Sequence, residues 1–359
     1  MKKVLLCIPT LGTGGAEKFV VDLATRLDKS VFDVTVAITR RNIPGIYEQV
    51  LKNHNIPIVD LSGESYLRML RKQLAYLRKA KPDVVHTSVG SMLHMMLATL
   101  LIPVPVKLFT MHNQVEYTFR ERKSNRWIYK AAFTLLGYTP VGICDHIARD
   151  IQNTFSLPAE KVRKVNNGVD LTVFKPAERE KKKETVEIVN IGTMYGVKNQ
   201  RMLMEAFGAL YRQYPNLRLT ILGDGVLRPE LESQAERLGI SDVVRMPGIQ
   251  KAVCAYLQQA DIYVSASNSE GQPLSVLEAM ACGLPVVATA AGGTVDAVKN
   301  GENGIIIPIG DQKALEAALQ KMITEEEFRK KCGETSYHMA QGWSIEACAE
   351  GYAALYNGK

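Results

Sequence analysis

The amino-acid sequence predicts an α/β protein made of two consecutive doubly wound units, each a parallel sheet with helices on both faces. Three observations lead to this prediction. At 359 residues, the chain has the length of two domains. Short, almost continuously apolar runs alternate with longer helical patterns, which is typical of a parallel sheet covered on both faces. The alternation stops at the charged segment 175–184 and then begins again.

The first half of the chain predicts six strands separated by helices. Each strand is an apolar run bounded by turn residues. The strands are expected at residues 4–8, 34–38, 58–61, 84–86, 107–110 and 139–143. The helices are expected at residues 16–27, 66–79, 91–101, 125–136 and 145–153.

The second half repeats this alternation and then adds two helices. Its strands are expected at residues 188–191, 217–222, 243–246, 262–264, 286–288 and 304–307. Its helices are expected at residues 199–213, 227–238, 251–259, 273–281, 311–323, 325–340 and 344–356. The predicted domains are therefore residues 1–170 and 171–342, followed by a C-terminal helix in 343–359.

Two glutamates eight positions apart, Glu270 and Glu278, form the most informative pattern of the chain. Pro273 suits the first turn of a helix, because its missing N–H costs nothing there. Glu270 then precedes this helix and Glu278 lies about one and a half turns into it, so the pair could reach both ends of a ligand roughly 10 Å long. The free N–H groups of the helix start favour an anion between the two acids. This arrangement suits a nucleotide-sugar, although an arbitrary pair of glutamates is more often solvated.

Two further segments follow predicted strands at the edge where open α/β sheets bind ligands. Gly12, Gly14 and Gly15 lead from the first strand into a helix and allow a phosphate to approach the backbone. This loop is not a dinucleotide fingerprint, because Glu17 occupies the third glycine position. His112 ends a strand, where an isolated histidine is more often structural than functional.

The segment from Ser267 to Thr289 resembles the E-x7-E motif of the retaining glycosyltransferases of family 4, which adopt the GT-B fold. Similar family segments are Gly-Gly-Ala-Glu at 14–17, Asn-Gly-Val-Asp at 167–170 and Gly-Gly-Thr-Val-Asp at 292–296. The resemblance covers the whole chain. It implies an N-terminal acceptor-binding and a C-terminal nucleotide-sugar-binding Rossmann-like domain that face a cleft. It also implies a last helix that crosses back to the N-terminal domain.

The resemblance implies a role for individual residues. Glu270 would hold hydroxyl groups of the transferred hexose, and Glu278 would hold the ribose. Lys198 would neutralise the leaving diphosphate, while His112 and Gly15 would line the reaction centre. His112, Lys198 and Glu270 are thus the expected catalytic residues. The other donor-binding positions implied by the resemblance are Gly192, Thr193, Pro247, Gly271, Gln272, Pro273 and Leu274.

The activity implied by the resemblance is metal-independent transfer of a sugar from a UDP-sugar to a hydroxyl of a glycan or lipid-linked glycan. Retention would follow from front-face attack with the leaving phosphate as base. One position departs from the family pattern: Thr193 stands where the family commonly has an arginine. A positive charge is therefore missing where charge stabilisation should dominate catalysis. Arg201 or a cation of the first domain could substitute, this position could have been altered, or the donor could be bound differently.

The positive charge of the chain is concentrated in its first half. Residues 1–170 contain 24 Lys and Arg against 14 Asp and Glu, which gives +10, whereas the remainder contains 20 against 23, which gives −3. Basic residues beside aromatic ones suit an anionic membrane or a lipid-pyrophosphate acceptor, and the alternative is a solvated helix face. No nucleic-acid-binding signature accompanies the charge. The membrane or acceptor candidates are Arg120, Arg122, Lys123, Arg126, Trp127 and Lys130.

Composition and short motifs narrow the remaining possibilities. Six scattered cysteines without a C-x-x-C pair indicate reduced thiols, and the N-terminal apolar run is too short for a signal peptide. A cytoplasmic protein, peripheral on the inner face of the plasma membrane, is therefore expected. Without Asp-x-Asp or metal-ligand spacing, neither a metal nor another cofactor is expected. Two rival functions stay open: a GT-B epimerase or hydrolase, and a non-catalytic sugar-nucleotide or membrane-binding protein.

Overall fold

The computed structural model describes residues 1–12, 14–40, 46–119, 124–177 and 185–358. It forms two compact units. The first contains Met1–Asn167 together with Ile345–Lys359, and the second contains Gly168–Ser344. The boundaries thus fall at 167/168 and 344/345, against expected boundaries at 170/171 and 342/343. Most of the expected charged linker, residues 178–184, lies outside the described residues.

The described residues of the first unit contain a seven-stranded sheet in which each strand is parallel to its neighbours. Its strands are β1 (Lys2–Ile8), β2 (Phe32–Ile38), β3 (Ile58–Asp60), β4 (Val84–Ser88), β5 (Val106–Met111), β6 (Tyr138–Gly142) and β7 (Arg163–Lys164). They lie in the order β3-β2-β1-β4-β5-β6-β7. The direction of winding therefore reverses between β1 and β4, which is where such sheets form a ligand crevice.

Eight helices of the described residues belong to this unit. They are α1 (Gly15–Arg26), α2 (Ile46–Asn53), α3 (Tyr66–Ala80), α4 (Ser91–Leu101), α5 (Val115–Thr118), α6 (Asn125–Thr134), α7 (Asp145–Phe155) and, from the end of the chain, α15 (Ile345–Tyr356). Local chemistry fixes several of their ends. At the start of α3, for example, the Ser65 side chain accepts from the Arg68 N–H, and α3 ends at Lys81 in the left-handed conformation.

The described residues of the second unit contain a six-stranded parallel sheet. Its strands are β8 (Val186–Ile191), β9 (Leu217–Leu222), β10 (Val244–Gly248), β11 (Ile262–Ser265), β12 (Val286–Thr289) and β13 (Gly304–Ile307). They lie in the order β10-β9-β8-β11-β12-β13, so the reversal falls between β8 and β11. The two units therefore share one architecture, with a crevice position at the carboxyl end of the first strand of each.

The helices of the second unit cover both faces of its sheet. They are α8 (Gln200–Tyr211), α9 (Arg228–Leu238), α10 (Val253–Gln259), α11 (Leu274–Ala281), α12 (Thr294–Ala297), α13 (Gln312–Thr324) and α14 (Glu326–Ala340). Sequence signals explain their ends: Pro229 lies in the first turn of α9, and Gly239 ends it with φ +70°. Asp311 begins α13, because its side chain accepts the Ala314 N–H at 2.9 Å.

The C-terminal helix α15 completes the core of the first unit. It packs against α1, and Tyr352 and Tyr356 are fully buried there. The preceding helix, α14, belongs to the second unit, so the chain returns to the first unit at Ile345. The predicted fold class, two Rossmann-like parallel sheets with a returning C-terminal helix, is confirmed. Short elements were missed: α2, α5, α12 and the two-residue strand β7.

Candidate active site

The loops that follow β8 and β11 meet where the strand order of the second sheet reverses. The two strands are paired at two positions, Ile188 with Ile262 and Val189 with Tyr263, and their last residues are not paired. Further along, the Asn190 side chain spans the gap between them, because its Nδ2 donates to the Val264 carbonyl at 2.8 Å. Asn190 was not among the predicted site residues, although a polar residue near the end of an apolar strand was a signal. The gap is the ligand crevice expected for this sheet topology.

Lys198 and Glu270 lie in contact at this crevice. The Lys198 Nζ is 2.6 Å from Glu270 Oε1, and the two side chains are 22% and 10% exposed. The Ser267 hydroxyl donates to the same oxygen at 2.7 Å. The stem of Lys198 runs over Gly192, where an added Cβ would lie 3.3 Å from it. Two predicted site residues that are far apart in sequence therefore form one contact, and Ser267 joins them without having been predicted.

Backbone hydrogen bonds hold the two loops together around this contact. The Asn268 N–H donates to the Val197 carbonyl at 2.7 Å, and the Asn268 side chain donates to the Gly196 carbonyl at 3.3 Å. Lys198 ends the short 3₁₀ turn Gly196–Lys198, and Asn199 then adopts φ +50° before α8 begins. The hydrogen bonds between the two loops thus fix the positions of Lys198 and Glu270.

Helix α11 carries the second glutamate. Pro273 precedes its first residue, Leu274, so the helix starts one residue later than expected. Glu278 lies on the buried side of α11. Burial raises the pKa of the Tyr263 hydroxyl, and the charges of Glu270 and Glu278 raise it further. The two carboxylates therefore lie within electrostatic reach of the same buried hydroxyl.

Three further predicted donor-binding positions lie at the same edge of the sheet: Gly271 and Gln272 in the loop that follows β11, and Pro247 as the fourth residue of β10. Gly271 accepts a hydrogen bond from the Gly293 N–H at 2.6 Å, and Gln272 is buried. The Pro247 carbonyl accepts from Gln250 at 2.7 Å. These contacts fix the loops after β10, β11 and β12, but they assign no ligand to any of them.

Thr193 occupies the position of the family arginine, and Arg201 does not replace that charge. The Thr193 carbonyl accepts from the buried Gln200 side chain at 3.2 Å. Arg201 instead forms an exposed ion pair with Glu230, the third residue of α9. The suggestion that Arg201 substitutes at the leaving group is therefore not supported by its position.

Arg228 connects the loop that follows β9 to strand β10. Its guanidinium donates to the Asp224 side chain at 2.9 Å, to the Met246 carbonyl at 3.0 Å and to the Gly223 carbonyl at 3.4 Å. Gly223 needs to be a glycine: its φ is +127°, and an added Cβ would lie 2.1 Å from the Gly192 carbonyl oxygen. The base of the crevice thus depends on close backbone contact between neighbouring strand ends.

In the first unit, His112 follows β5 and faces helix α1. Its ring lies 4.8 Å from the Phe19 ring in an edge-to-face arrangement, and its Nε2 is 3.2 Å from the Ser88 hydroxyl. Burial lowers the pKa of His112 well below its usual value, so the ring is neutral at neutral pH. Gly15 is the exposed first residue of α1, one helical turn before Phe19, and a side chain there would meet nothing within 4 Å.

A second histidine of this unit, His86, was not predicted and belongs to a buried polar network. Its Nδ1 is 2.7 Å from the Tyr356 hydroxyl, and its Nε2 is 2.7 Å from the Thr110 hydroxyl. Thr110 also bonds the Tyr352 hydroxyl at 2.9 Å. Both tyrosines lie on α15, so the network anchors the returning helix to the sheet. A histidine inside an apolar strand was the only signal for it in the sequence.

The basic and aromatic group of α6 is only partly on the surface. Trp127 is 76% exposed, and Lys130 is half-buried. Tyr129, on the same helix, is buried and donates to the Val89 carbonyl at 3.3 Å, so it is not part of the surface group. Arg126 is half-buried. The other candidates, Arg120, Arg122 and Lys123, lie outside the described residues.

No three His, Cys, Asp or Glu side chains in the described ranges come together as metal ligands could. None of the helices in those ranges combines the length and the apolar composition needed to cross a bilayer.

Comparisons with known proteins agree with this architecture. Residues 13–173 match the family described as Glycosyltransferase Family 4, and residues 173–339 match Glycosyl transferases group 1. The D-inositol 3-phosphate glycosyltransferase of Thermobifida fusca is 32% identical over 230 residues, which are 59% of this chain and 53% of that protein. That alignment spans about half of the relative's length. An uncharacterized glycosyltransferase of Haemophilus influenzae is 26% identical over 365 residues, or 99% of this chain and 100% of the relative.

A solved structure shows the same fold over its full length. The structure of Anabaena Alr3699/HepE in complex with UDP-glucose has a TM-score of 0.86, covers 100% of both chains and is 18% identical. Two Rossmann-like sheets, each with its crevice at the strand-order reversal, define this protein as a GT-B protein. The two family matches together span residues 13–339, and the chain belongs to glycosyltransferase family 4.

Proposed function

We propose that this protein is a retaining glycosyltransferase that moves a hexose from a UDP-sugar to a hydroxyl group of a glycan or lipid-linked glycan. The contact between Lys198 and Glu270 at the crevice of the second unit carries this proposal. A nucleotide-sugar carries a diphosphate next to a sugar ring with several hydroxyl groups. The ammonium suits the diphosphate, and the neighbouring carboxylate suits the hydroxyl groups. The T. fusca and Anabaena relatives, one named as a glycosyltransferase and one solved with UDP-glucose, support this donor class.

Glu270 is suited to hold sugar hydroxyl groups. Lys198 and Ser267 both donate to Oε1, whereas none of the described side chains bonds Oε2. An ionised carboxylate only accepts hydrogen bonds, so Oε2 can accept from a donor hydroxyl while Oε1 keeps the carboxylate oriented. Glu278, further along α11, would hold the ribose.

The diphosphate would be bound by Lys198 and by the start of α11. The ammonium of Lys198 has three N–H donors, so it can bond a phosphate oxygen while still bonding Glu270. The first N–H groups of α11 have no intrahelical acceptors and lie at the positive end of the helix dipole. We propose that these groups stabilise the leaving diphosphate without a metal. Transfer by a protein freed of metal with EDTA should equal transfer by the untreated protein.

In the proposed reaction the acceptor hydroxyl attacks the anomeric carbon on the face that the diphosphate leaves. The new bond joins the acceptor oxygen to the anomeric carbon, the bond to the phosphate oxygen breaks, and the acceptor proton passes to the leaving phosphate. His112, neutral at working pH, would contact the transferred sugar. The anomeric configuration of the product, read by NMR, should therefore equal that of the donor.

Charge-removing variants test the assignment. Lys198→Met and Glu270→Gln should each lower kcat/KM by about 100-fold or more, because each removes a contact expected to strengthen in the transition state. Lys313→Met and Glu334→Gln, on the exposed faces of α13 and α14, are the matched controls and should leave it unchanged. If both site variants kept kcat/KM within about twofold of the parent, the assignment would be wrong.

Release of UDP separates the proposed transferase from its rivals. A transferase releases UDP only when an acceptor is present, a hydrolase releases it without one, and a non-catalytic binder releases none. The donor can be chosen beforehand by thermal shift, since a ligand at 100 times its dissociation constant adds about 2.7 kcal/mol to stability.

We also propose that the protein works at the cytoplasmic face of an anionic membrane, held there by the surface group around Trp127. An exposed tryptophan beside basic residues of α6 suits the interface of such a membrane. Trp127→Ala should weaken co-sedimentation with phosphatidylglycerol vesicles, whereas Val226→Ala, an exposed aliphatic residue of the second unit, should not. Equal sedimentation of parent and Trp127→Ala would contradict the proposal.

A further inference from the structure

Two cysteines of the second unit lie close enough to react with each other. Cys254 is the second residue of α10 and Cys282 follows the last residue of α11, and their Sγ atoms are 4.0 Å apart. Both are free thiols in the structure. Cys254 is partly exposed and its Sγ–H donates to the Val173 carbonyl at 3.1 Å, whereas Cys282 is buried.

The segment between the two cysteines contains the proposed donor site. Residues 255–281 include β11, the loop with Glu270 and helix α11 with Glu278. The Cys282 N–H donates to the Glu278 carbonyl at 3.1 Å, so Cys282 is tied to the last turn of α11. A covalent bond between the thiols would close a loop around the donor segment and join α10 to the end of α11.

We propose that Cys254 and Cys282 form a reversible disulfide, a redox modification site whose closure changes donor binding. A disulfide has an S–S distance of about 2.05 Å, so the sulfurs must approach by about 2 Å. That approach draws the end of α11, and with it Glu278, towards α10. The second part of the proposal rests on the donor site proposed above, whereas the formation of the bond does not.

The chemistry requires a two-electron oxidant, for which hydrogen peroxide serves. The partly exposed Cys254 is oxidised first: its sulfur bonds a peroxide oxygen, the O–O bond breaks, and a sulfenic acid and water result. The Cys282 sulfur then attacks the Cys254 sulfur, the S–O bond breaks, and a second water leaves with the Cys282 proton. Burial raises the pKa of Cys282, which favours this order and makes the second step slow. A dithiol reductant reverses the bond by exchange.

Mass spectrometry of the whole chain tests the bond directly. After mild peroxide treatment and denaturation, the number of alkylatable thiols should fall from six to four and return to six with dithiothreitol. Trypsin leaves both cysteines in one peptide, residues 252–299, which should lose the mass of two hydrogen atoms. Cleavage after Glu270 and Glu278 should then give fragments that separate only on reduction.

Serine variants identify the partners. Cys254→Ser and Cys282→Ser should each abolish the linked fragments, whereas Cys332→Ser and Cys348→Ser, at buried thiols elsewhere, should keep them. Six thiols after treatment, or a bond to any other cysteine, would overturn the disulfide.

Donor titrations test the coupling. The dissociation constant for UDP should differ at least threefold between the oxidised and reduced parent and should not respond to peroxide in Cys254→Ser. Equal affinity of the oxidised and reduced parent would overturn the coupling. A failure to bind UDP in either state would instead count against the proposed function, and the fragment map would still decide whether the bond forms.

Discussion

The buried ring of His86 should make the stability of the first unit depend on pH. Both ring nitrogens are engaged, one with Tyr356 on α15 and the other with Thr110 on β5. A neutral imidazole suits this network because it can donate with one nitrogen and accept with the other. Burial, and to a smaller extent the nearby His112, lowers the pKa of His86 to about 3.

The direction and size of the effect follow from proton binding. The unfolded chain binds a proton at this histidine near pH 6.5, whereas the folded protein binds it only near pH 3. The stability contributed by the neutral ring is therefore fully present above about pH 6.5 and is lost as the pH falls towards 3. At pH 5 the two pKa values correspond to a loss of about 2 kcal/mol relative to neutral pH.

Urea unfolding at pH 7 and pH 5, followed by circular dichroism, measures this loss. His86→Gln removes the titrating ring. Between pH 7 and pH 5, the unfolding free energy of this variant should therefore fall by about 2 kcal/mol less than that of the parent. The exposed His54→Gln of the same unit is the matched control and should follow the parent. Equal losses in the parent and in His86→Gln would refute the reasoning.

Three further tests each depend on a single substitution, and the first has a matched control. Gly223→Ala should destabilise the second unit by about 3 kcal/mol in chemical denaturation, because the added Cβ would lie 2.1 Å from a carbonyl oxygen. Gly239 also has a positive φ, but the space around it is open, so the control Gly239→Ala should cost only about 1 kcal/mol. Tyr356→Phe removes the hydroxyl bonded to His86 and should cost about 1–2 kcal/mol in the same assay; a neutral result would mean that the network does not anchor α15. Thr193→Arg restores the family cation and should tighten UDP binding about threefold to tenfold in calorimetry, and weaker binding would show that the site is built around the threonine.

The elements that could be predicted from the sequence are those with a long apolar pattern. Helix α4 and strands β9 and β13 have the bounds that their apolar periods predict, because burial of one face fixes where each begins and ends. Two of the missed elements, the four-residue helices α5 and α12, are too short to show a period. Their existence depends on contacts with residues distant in the chain, which no local pattern records.

The same distinction applies to the candidate site. Lys198 and Glu270 were predictable as chemical types at family positions, but their contact joins residues 72 positions apart and needed the sheet order. Asn190 and Ser267 were missed for a related reason. A serine in a loop and an asparagine near the end of a strand are common, and they acquire a role only because β8 and β11 separate at this point.

The contact between Lys198 and Glu270 also determines how the missing arginine at Thr193 affects donor binding. Before a donor binds, the ammonium is already balanced by a carboxylate 2.6 Å away, so it adds little free positive charge for a diphosphate. When a diphosphate binds, some of the Lys198 N–H donors would turn from Glu270 to the phosphate, which costs free energy. The hydrogen bond from Ser267 reduces this cost, because it continues to stabilise Oε1 of Glu270. In the proposed reaction, Ser267 would therefore allow a single lysine to act both as the partner of Glu270 and as the cation of the leaving group. It follows that Ser267→Ala should weaken donor binding more in the parent, which has Thr193, than in the Thr193→Arg variant, where a second cation would also bind the diphosphate.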